Sequence, residues 1–153
     1  MAQIRPGTLA DRAAVTAIAF GGMTRFGIQP EPETLDRDMA SFGDGAPHKL
    51  AELVAEAEGV IVGCVAAVRY GEGRAKIMGL YVVPEAQGRG LGSGLLAAVL
   101  ERCREAGVDR FCLDTWAHMT TAVAMYERSG WVRGPDPDPT AGADRTYLLE
   151  LGA

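Results

Sequence analysis

Apolar residues along the chain fall into short blocks parted by glycine and proline, and each block has its own period. "QIRPG" at the start reads as a short edge strand, because its proline is tolerated only where a missing N–H does no harm. "TLADRAAVTAIAF" reads as a helix: Leu9, Ala13, Val15, Ile18 and Ala19 keep roughly helical spacing, and Thr8 or Asp11 can cap it. From residue 21 to 47 the pattern dissolves into glycine and proline, leaving room for one short helix around Glu33 to Ala40. A long irregular connection of this kind in a compact domain more often forms a functional wall or lid. "LAELVAEA", "GVIVGCVAAVRY" and "AKIMGLYVV" follow as three strands joined by hairpin-length turns. In "SGLLAAVLERCREAG" the positions Leu95, Ala98, Val99, Cys103 and Ala106 share a helical face, and Gly107 ends it. "DRFCLDTW" is a further strand, "TTAVAMYERSG" a helix ending at Gly130, and "WVRG" with "RTYLLEL" a closing strand pair. This order predicts one α+β or mixed α/β domain over residues 1–153, without the βαβ alternation of a doubly wound fold.

Composition narrows the partners. The 153 residues, 48% apolar and 23% charged, are those of an ordinary globular domain that buries about two thirds of its unfolded surface. A net charge of −5 and the lack of any Lys/Arg cluster argue against a nucleic-acid partner and suit a neutral or cationic one. Cys64, Cys103 and Cys112 lie in apolar runs and read as buried free thiols, while His48 and His118 stand in contexts unrelated to them. No basic leader with a long apolar core opens the chain and no run approaches a membrane span, so a cytoplasmic protein with no membrane partner is expected.

The stretch "YVVPEAQGRGLGSGLL" passes from a strand through four glycines, at 88, 90, 92 and 94, into a helix. A strand feeding a helix this way presents free amides and the positive end of the helix dipole, a site for phosphate. The spacing fits neither the G-x-x-x-x-G-K-[S/T] phosphate loop nor the G-x-G-x-x-G dinucleotide fingerprint. It does fit [Q/R]-x-x-G-x-[G/A], as Gln87-Gly88-Arg89-Gly90-Leu91-Gly92 just after "YVVP".

On this motif, on the opening "IRPGTLAD" and on "AVAMYERSGWV", the chain resembles the GNAT superfamily of N-acetyltransferases over nearly its whole length. The resemblance implies a mixed, mostly antiparallel sheet of about six or seven strands with one splayed parallel pair, flanked by about four helices. It implies acetyl-CoA as co-substrate without a metal, held by Tyr81, Val82, Val83, Gln87, Gly88, Arg89, Gly90, Leu91, Gly92 and Ser93. The amide of Val82 or Val83 would polarise the thioester carbonyl. Tyr126 matches the family's proton donor to the departing thiolate, and Asp114, twelve residues earlier, stands where some members carry a glutamate base; it serves either as a base acting through water or as a strand-structuring group. Lys76 occupies the place of a glutamate frequent in the family, Met119 that of an asparagine, and His118 is a further candidate base.

The expected reaction is acetyl transfer to a primary amine by direct attack in a ternary complex. The alternative is a catalytically weak acyl-CoA-binding module with a regulatory or assembly role. The acceptor is a small-molecule, peptide or protein amine, and a homodimer is compatible with the family. Acceptor recognition is expected on the 21–47 loop and on the acidic loop carrying Asp136, Asp138 and Asp144.

Overall fold

The structure is a computed structural model and describes residues 2–152. The strands are β1 (Ala2–Pro6), β2 (Lys49–Ala57), β3 (Val60–Arg69), β4 (Arg74–Val82), β5 (Arg110–Thr115), β6 (Val132–Arg133) and β7 (Arg145–Glu150); the helices are α1 (Arg12–Arg25), α2 (Arg37–Ala40), α3 (Leu91–Glu105) and α4 (Thr120–Arg128). All seven strands join one sheet in the order β1-β2-β3-β4-β5-β7-β6. Every pairing is antiparallel except β4 with β5, as expected.

Both faces of the sheet are covered, which explains why β3 is a continuous apolar run rather than an alternating one. Cys64 and Ala66 turn toward Val15, Ile18 and Ala19 of α1, with Met39 and Phe42 closing that layer. Val65 and Ala67 turn to the opposite layer, where Leu95, Val99 and Cys103 of α3 and Val123 and Tyr126 of α4 pack.

The first helix starts later than its sequence spacing predicts. Residues Leu9–Asp11 form a single 3₁₀ turn and Leu9 is 59% exposed, because Asp11 is drawn inward by other partners. Its carboxylate takes two hydrogen bonds from the Arg5 guanidinium (2.9 and 3.0 Å) and one from the Thr8 amide (2.8 Å). The short helix expected at 33–40 is one turn, Arg37–Ala40.

Candidate active site

The parallel pair is short. β4 and β5 are in register only at Arg74–Arg110, Ala75–Phe111 and Lys76–Cys112, and then diverge. The divergence begins where β4 carries a bulge: Ala66 faces Met78 but Cys64 faces Tyr81, so Gly79 and Leu80 together oppose Val65. Gly79 has φ +65°, and a Cβ there would lie 2.3 Å from the Met39 Cε. Both the backbone and the packing demand glycine at this position. The signal was in the sequence, as the one glycine inside "AKIMGLYVV".

Between the parted strands lies a cleft of about 200 Å³, walled by β4, β5, the α1–α2 connection and Tyr126. Of the two amides the sequence left open, that of Val83 is already paired. It donates to the Val62 carbonyl (2.9 Å), and because successive strand amides point to opposite edges, Val82 is the residue whose N–H faces the gap. The Val82 carbonyl accepts from Gln87 Nε2 (2.9 Å), which ties the glycine turn back to the strand end.

The turn itself is open. Gly88 and Gly90 adopt φ of 80° and 79°, and a Cβ on either would meet nothing within 4 Å. Gly90 is the N-cap of α3, with no side-chain cap and no acidic residue in the first turn. The Gly94 amide is taken up by the Gly90 carbonyl (2.9 Å), so the amides of Leu91, Gly92 and Ser93 lie ahead of the first intrahelical bond. A fifteen-residue helix ending in uncapped amides and a Cβ-free surface fits a pyrophosphate, which needs several convergent donors and close approach of the backbone. Arg89 is exposed and, among the described residues, its side chain hydrogen-bonds only the Glu85 carbonyl (3.4 Å), so the donors gathered at the turn are those of the backbone.

Tyr126 is 6% exposed and lines the cleft, its ring flanked by Trp131 and Tyr147 at centroid distances of 5.9 Å. Its hydroxyl has no hydrogen-bond partner among the described residues, and burial pushes the phenol up to about 12. Tyr81 packs its ring on Gly22 of α1 and reaches the same cleft; burial, then the neighbouring Tyr126 and Asp36, hold it well above its ordinary value.

The expected bases fare differently. Asp114 lines the cleft, but Oδ2 is 3.0 Å from Lys76 Nζ and Oδ1 accepts from Thr146 Oγ1 (2.7 Å). Both oxygens therefore have partners on neighbouring strands, the arrangement of a structuring carboxylate. Lys76, which displaced the family's glutamate, is thus its counter-ion. His118 sits between Phe26 and Trp116, and its Nε2 donates to the Phe26 carbonyl (2.8 Å), pinning the β5–α4 loop to the end of α1. The thiols are unsuited to nucleophilic work: burial raises Cys64 to about 12 and Cys103 to about 11, and half-buried Cys112 moves the same way.

The acidic loop does not present its carboxylates to the cleft. Asp136 pairs with Arg133, Asp138 accepts from the Thr140 amide and hydroxyl, and Asp144 accepts from the Ala117 amide (2.8 Å). Among the described residues of that loop Ala141 and Gly142 line the cleft, and its three aspartates are engaged by groups outside the cleft wall. Within the 21–47 loop expected to recognise the acceptor, the sequence singled out neither of the two carboxylates found in the cleft wall, Glu31 and Asp36; the second is fixed at the start of α2. It lacked any motif, and only the chain's return over β4 brings it there.

Comparison with known proteins gives a consistent frame. The model of the acetyltransferase (GNAT) family matches residues 19–131. An IAA acetyltransferase of Azospirillum brasilense is 34% identical over 93 residues, 57% of this chain and 61% of that protein, so the matched stretch spans under two thirds of the relative. The crystal structure of a GNAT-family acetyltransferase from Staphylococcus aureus superposes with TM-score 0.86 at 17% identity, covering 99% of this chain and 100% of that one. The PaiA N-acetyltransferase of Thermoplasma acidophilum, solved in complex with coenzyme A, superposes with TM-score 0.76 at 18% identity, covering 98% and 99%.

Proposed function

The chain belongs to the GNAT family of acetyltransferases, and from that membership we propose that it moves an acetyl group from acetyl-CoA to a primary amine by direct attack in a ternary complex. The observation that carries this reading is one juxtaposition: the uncapped amides of α3 open beside parted strands whose gap is lined by Tyr126. The turn Gly88–Ser93 binds the pyrophosphate through backbone donors, and the acyl end of the co-substrate lies along the open edge of β4. There the Val82 amide donates to the thioester oxygen as negative charge develops on it, an electrostatic contribution of roughly 3–4 kcal/mol where such a donor has been removed in other enzymes.

Tyr126 supplies the proton for the leaving sulfur. With its phenol at about 12 it is fully protonated through neutral pH, and it can donate to a thiolate whose parent thiol has a pKa of about 8.5. Tyr126→Phe is expected to lower kcat by about 10²-fold or more while leaving acetyl-CoA affinity nearly unchanged. Thiol release followed over a panel of amines checks this. Tight acetyl-CoA binding with no release for any amine would instead assign the chain to the binding-module alternative, and a Tyr126→Phe enzyme of wild-type kcat would remove the tyrosine from the mechanism.

A further inference from the structure

We propose that the acceptor is a compact primary amine with an apolar body and no carboxylate of its own, and that Asp36 receives its ammonium and takes its first proton. The proposal rests on the acetyl-transfer reading above and adds the substrate class and the base.

The charge in the cleft wall is one-sided. Glu31, Asp36 and Asp114 stand against a single cation, Lys76, which is already 3.0 Å from Asp114. A ligand carboxylate finds no unpaired cation among the described residues of the wall and meets Glu31 and Asp36 instead, whereas an ammonium is attracted. Apart from Gln29, Thr115 and the two tyrosines the rest of the wall is apolar, with Met23, Ile28, Leu35 and Met39 from the α1 side and Trp116 and Met119 from the β5–α4 loop. The cavity of about 200 Å³ also takes the acyl end of the co-substrate, and the part of it left beside such walls suits a small body with apolar surface rather than a polyamine or a charged peptide.

Asp36 is the wall carboxylate that is held by the shorter bond and still left available; Glu31, whose Oε1 accepts only the Thr34 hydroxyl (3.3 Å) among the described residues, is exposed. The Glu31 amide donates to Asp36 Oδ2 (2.7 Å) and the Asp36 amide donates to the Glu31 carbonyl (2.9 Å), so this reciprocal turn fixes the Asp36 carboxyl before any ligand arrives. Oδ1 has no partner among the described residues. The charge of Glu31, from its own loop, acts on Asp36, and Asp36 in turn acts on Tyr81 of β4; Tyr126 of α4 and the Lys76–Asp114 pair line the same cleft. The nine-tenths-buried Tyr126, with its unpartnered hydroxyl in this cleft, independently points to a ligand here. Burial, and then the charge of Glu31, lift the Asp36 carboxyl above its ordinary value against the pull of the Glu31 amide, which brings it nearer to working pH as a base.

The step balances as follows. The ammonium gives one proton to Asp36, which passes it to water. The freed nitrogen lone pair forms the N–C bond to the acetyl carbonyl carbon, and the C–S bond breaks with its electron pair on sulfur. Sulfur takes the Tyr126 proton, and the phenolate takes the second proton from nitrogen. The sum is RNH₃⁺ plus the thioester giving the amide, the thiol and one proton.

Thiol release by the full chain with 2-phenylethylamine, phenylalanine and spermidine tests this, beside Asp36→Asn and Asp36→Glu. The expected result is a kcat/KM for phenylethylamine at least about tenfold above that for phenylalanine or spermidine. Asp36→Asn is expected to lower it by about 10²-fold and to erase the acid limb of the pH profile, which lies above the ordinary carboxylate range; Asp36→Glu restores part of both. Calorimetric acetyl-CoA affinity stays unchanged in both variants. Preference for phenylalanine or spermidine, or an Asp36→Asn enzyme within about threefold of wild type with its acid limb intact, overturns the inference and leaves the acetyl-transfer reading standing. A wild-type protein that releases no thiol with any amine overturns both. If Asp36→Asn does not fold, the wild-type ratio among the three amines decides alone.

Discussion

Asp11 and Asp114 show how far a single carboxylate can be read from its neighbours in sequence. Asp11 was legible as a capping residue because its partner Thr8 is three positions away. Its second partner, Arg5, comes from β1, and the hydrogen bonds from that guanidinium hold the Asp11 carboxyl below the usual carboxylate range despite its burial. A carboxyl depressed in the folded state contributes stability above its unfolded pKa of about 3.9, and that contribution is lost as pH falls through this value toward the folded one. Asp11→Asn is therefore expected to cost about 1–3 kcal/mol at pH 7 and progressively less below pH ~4. Urea melts at the two pH values measure it, and a gap of equal size at both would refute the assignment. Asp114, by contrast, left two readings open in the sequence; its contacts with Lys76 on β4 and Thr146 on β7, 38 and 32 residues away in sequence, favour the strand-structuring one.

At the scale of elements, β4 and α3 use two kinds of glycine for two purposes. Gly79 bends the strand and parts it from β5, inside a packed layer; Gly90 starts α3 on an open surface. Alanine at either suffers a left-handed φ at a cost of about 1–2 kcal/mol. At Gly79 the overlap with Met39 adds to this, for a total of at least about 2–3 kcal/mol and a closed or misaligned cleft. At Gly90 nothing adds to it, and the larger effect is a raised KM for acetyl-CoA as the methyl blocks the approach of phosphate. Thermal melts and KM values for both variants separate the two roles; equal stability losses, or an unaffected KM in Gly90→Ala, would count against this division. The strands and helices themselves were readable from their periods, with the start of α1 misplaced because Leu9 followed the apolar spacing yet stays outside.

For the whole molecule, a co-substrate that bridges the α3 terminus and the β4–β5 gap couples two parts of the sheet and its covering helices. Coenzyme A at about 100 times its dissociation constant should raise the unfolding free energy by about 2.7 kcal/mol, and the shift should shrink with added salt because the pyrophosphate contacts are electrostatic. Pantetheine, lacking the pyrophosphate, should give a much smaller shift at the same concentration; equal shifts would place the binding energy elsewhere than the glycine turn. Differential scanning fluorimetry over a salt series measures both. By itself the sequence determined the order and type of the main elements, the glycine turn and, through the family's motif, a candidate tyrosine, because helical and strand periods, turn glycines and motif spacing are local properties of consecutive residues. Only the tertiary structure decided which carboxylates are left to act. Lys76 takes Asp114, the acidic loop consumes its own aspartates, and the α1–α2 connection carries Asp36 into the cleft, since charge pairing and desolvation are set by residues far apart in the chain.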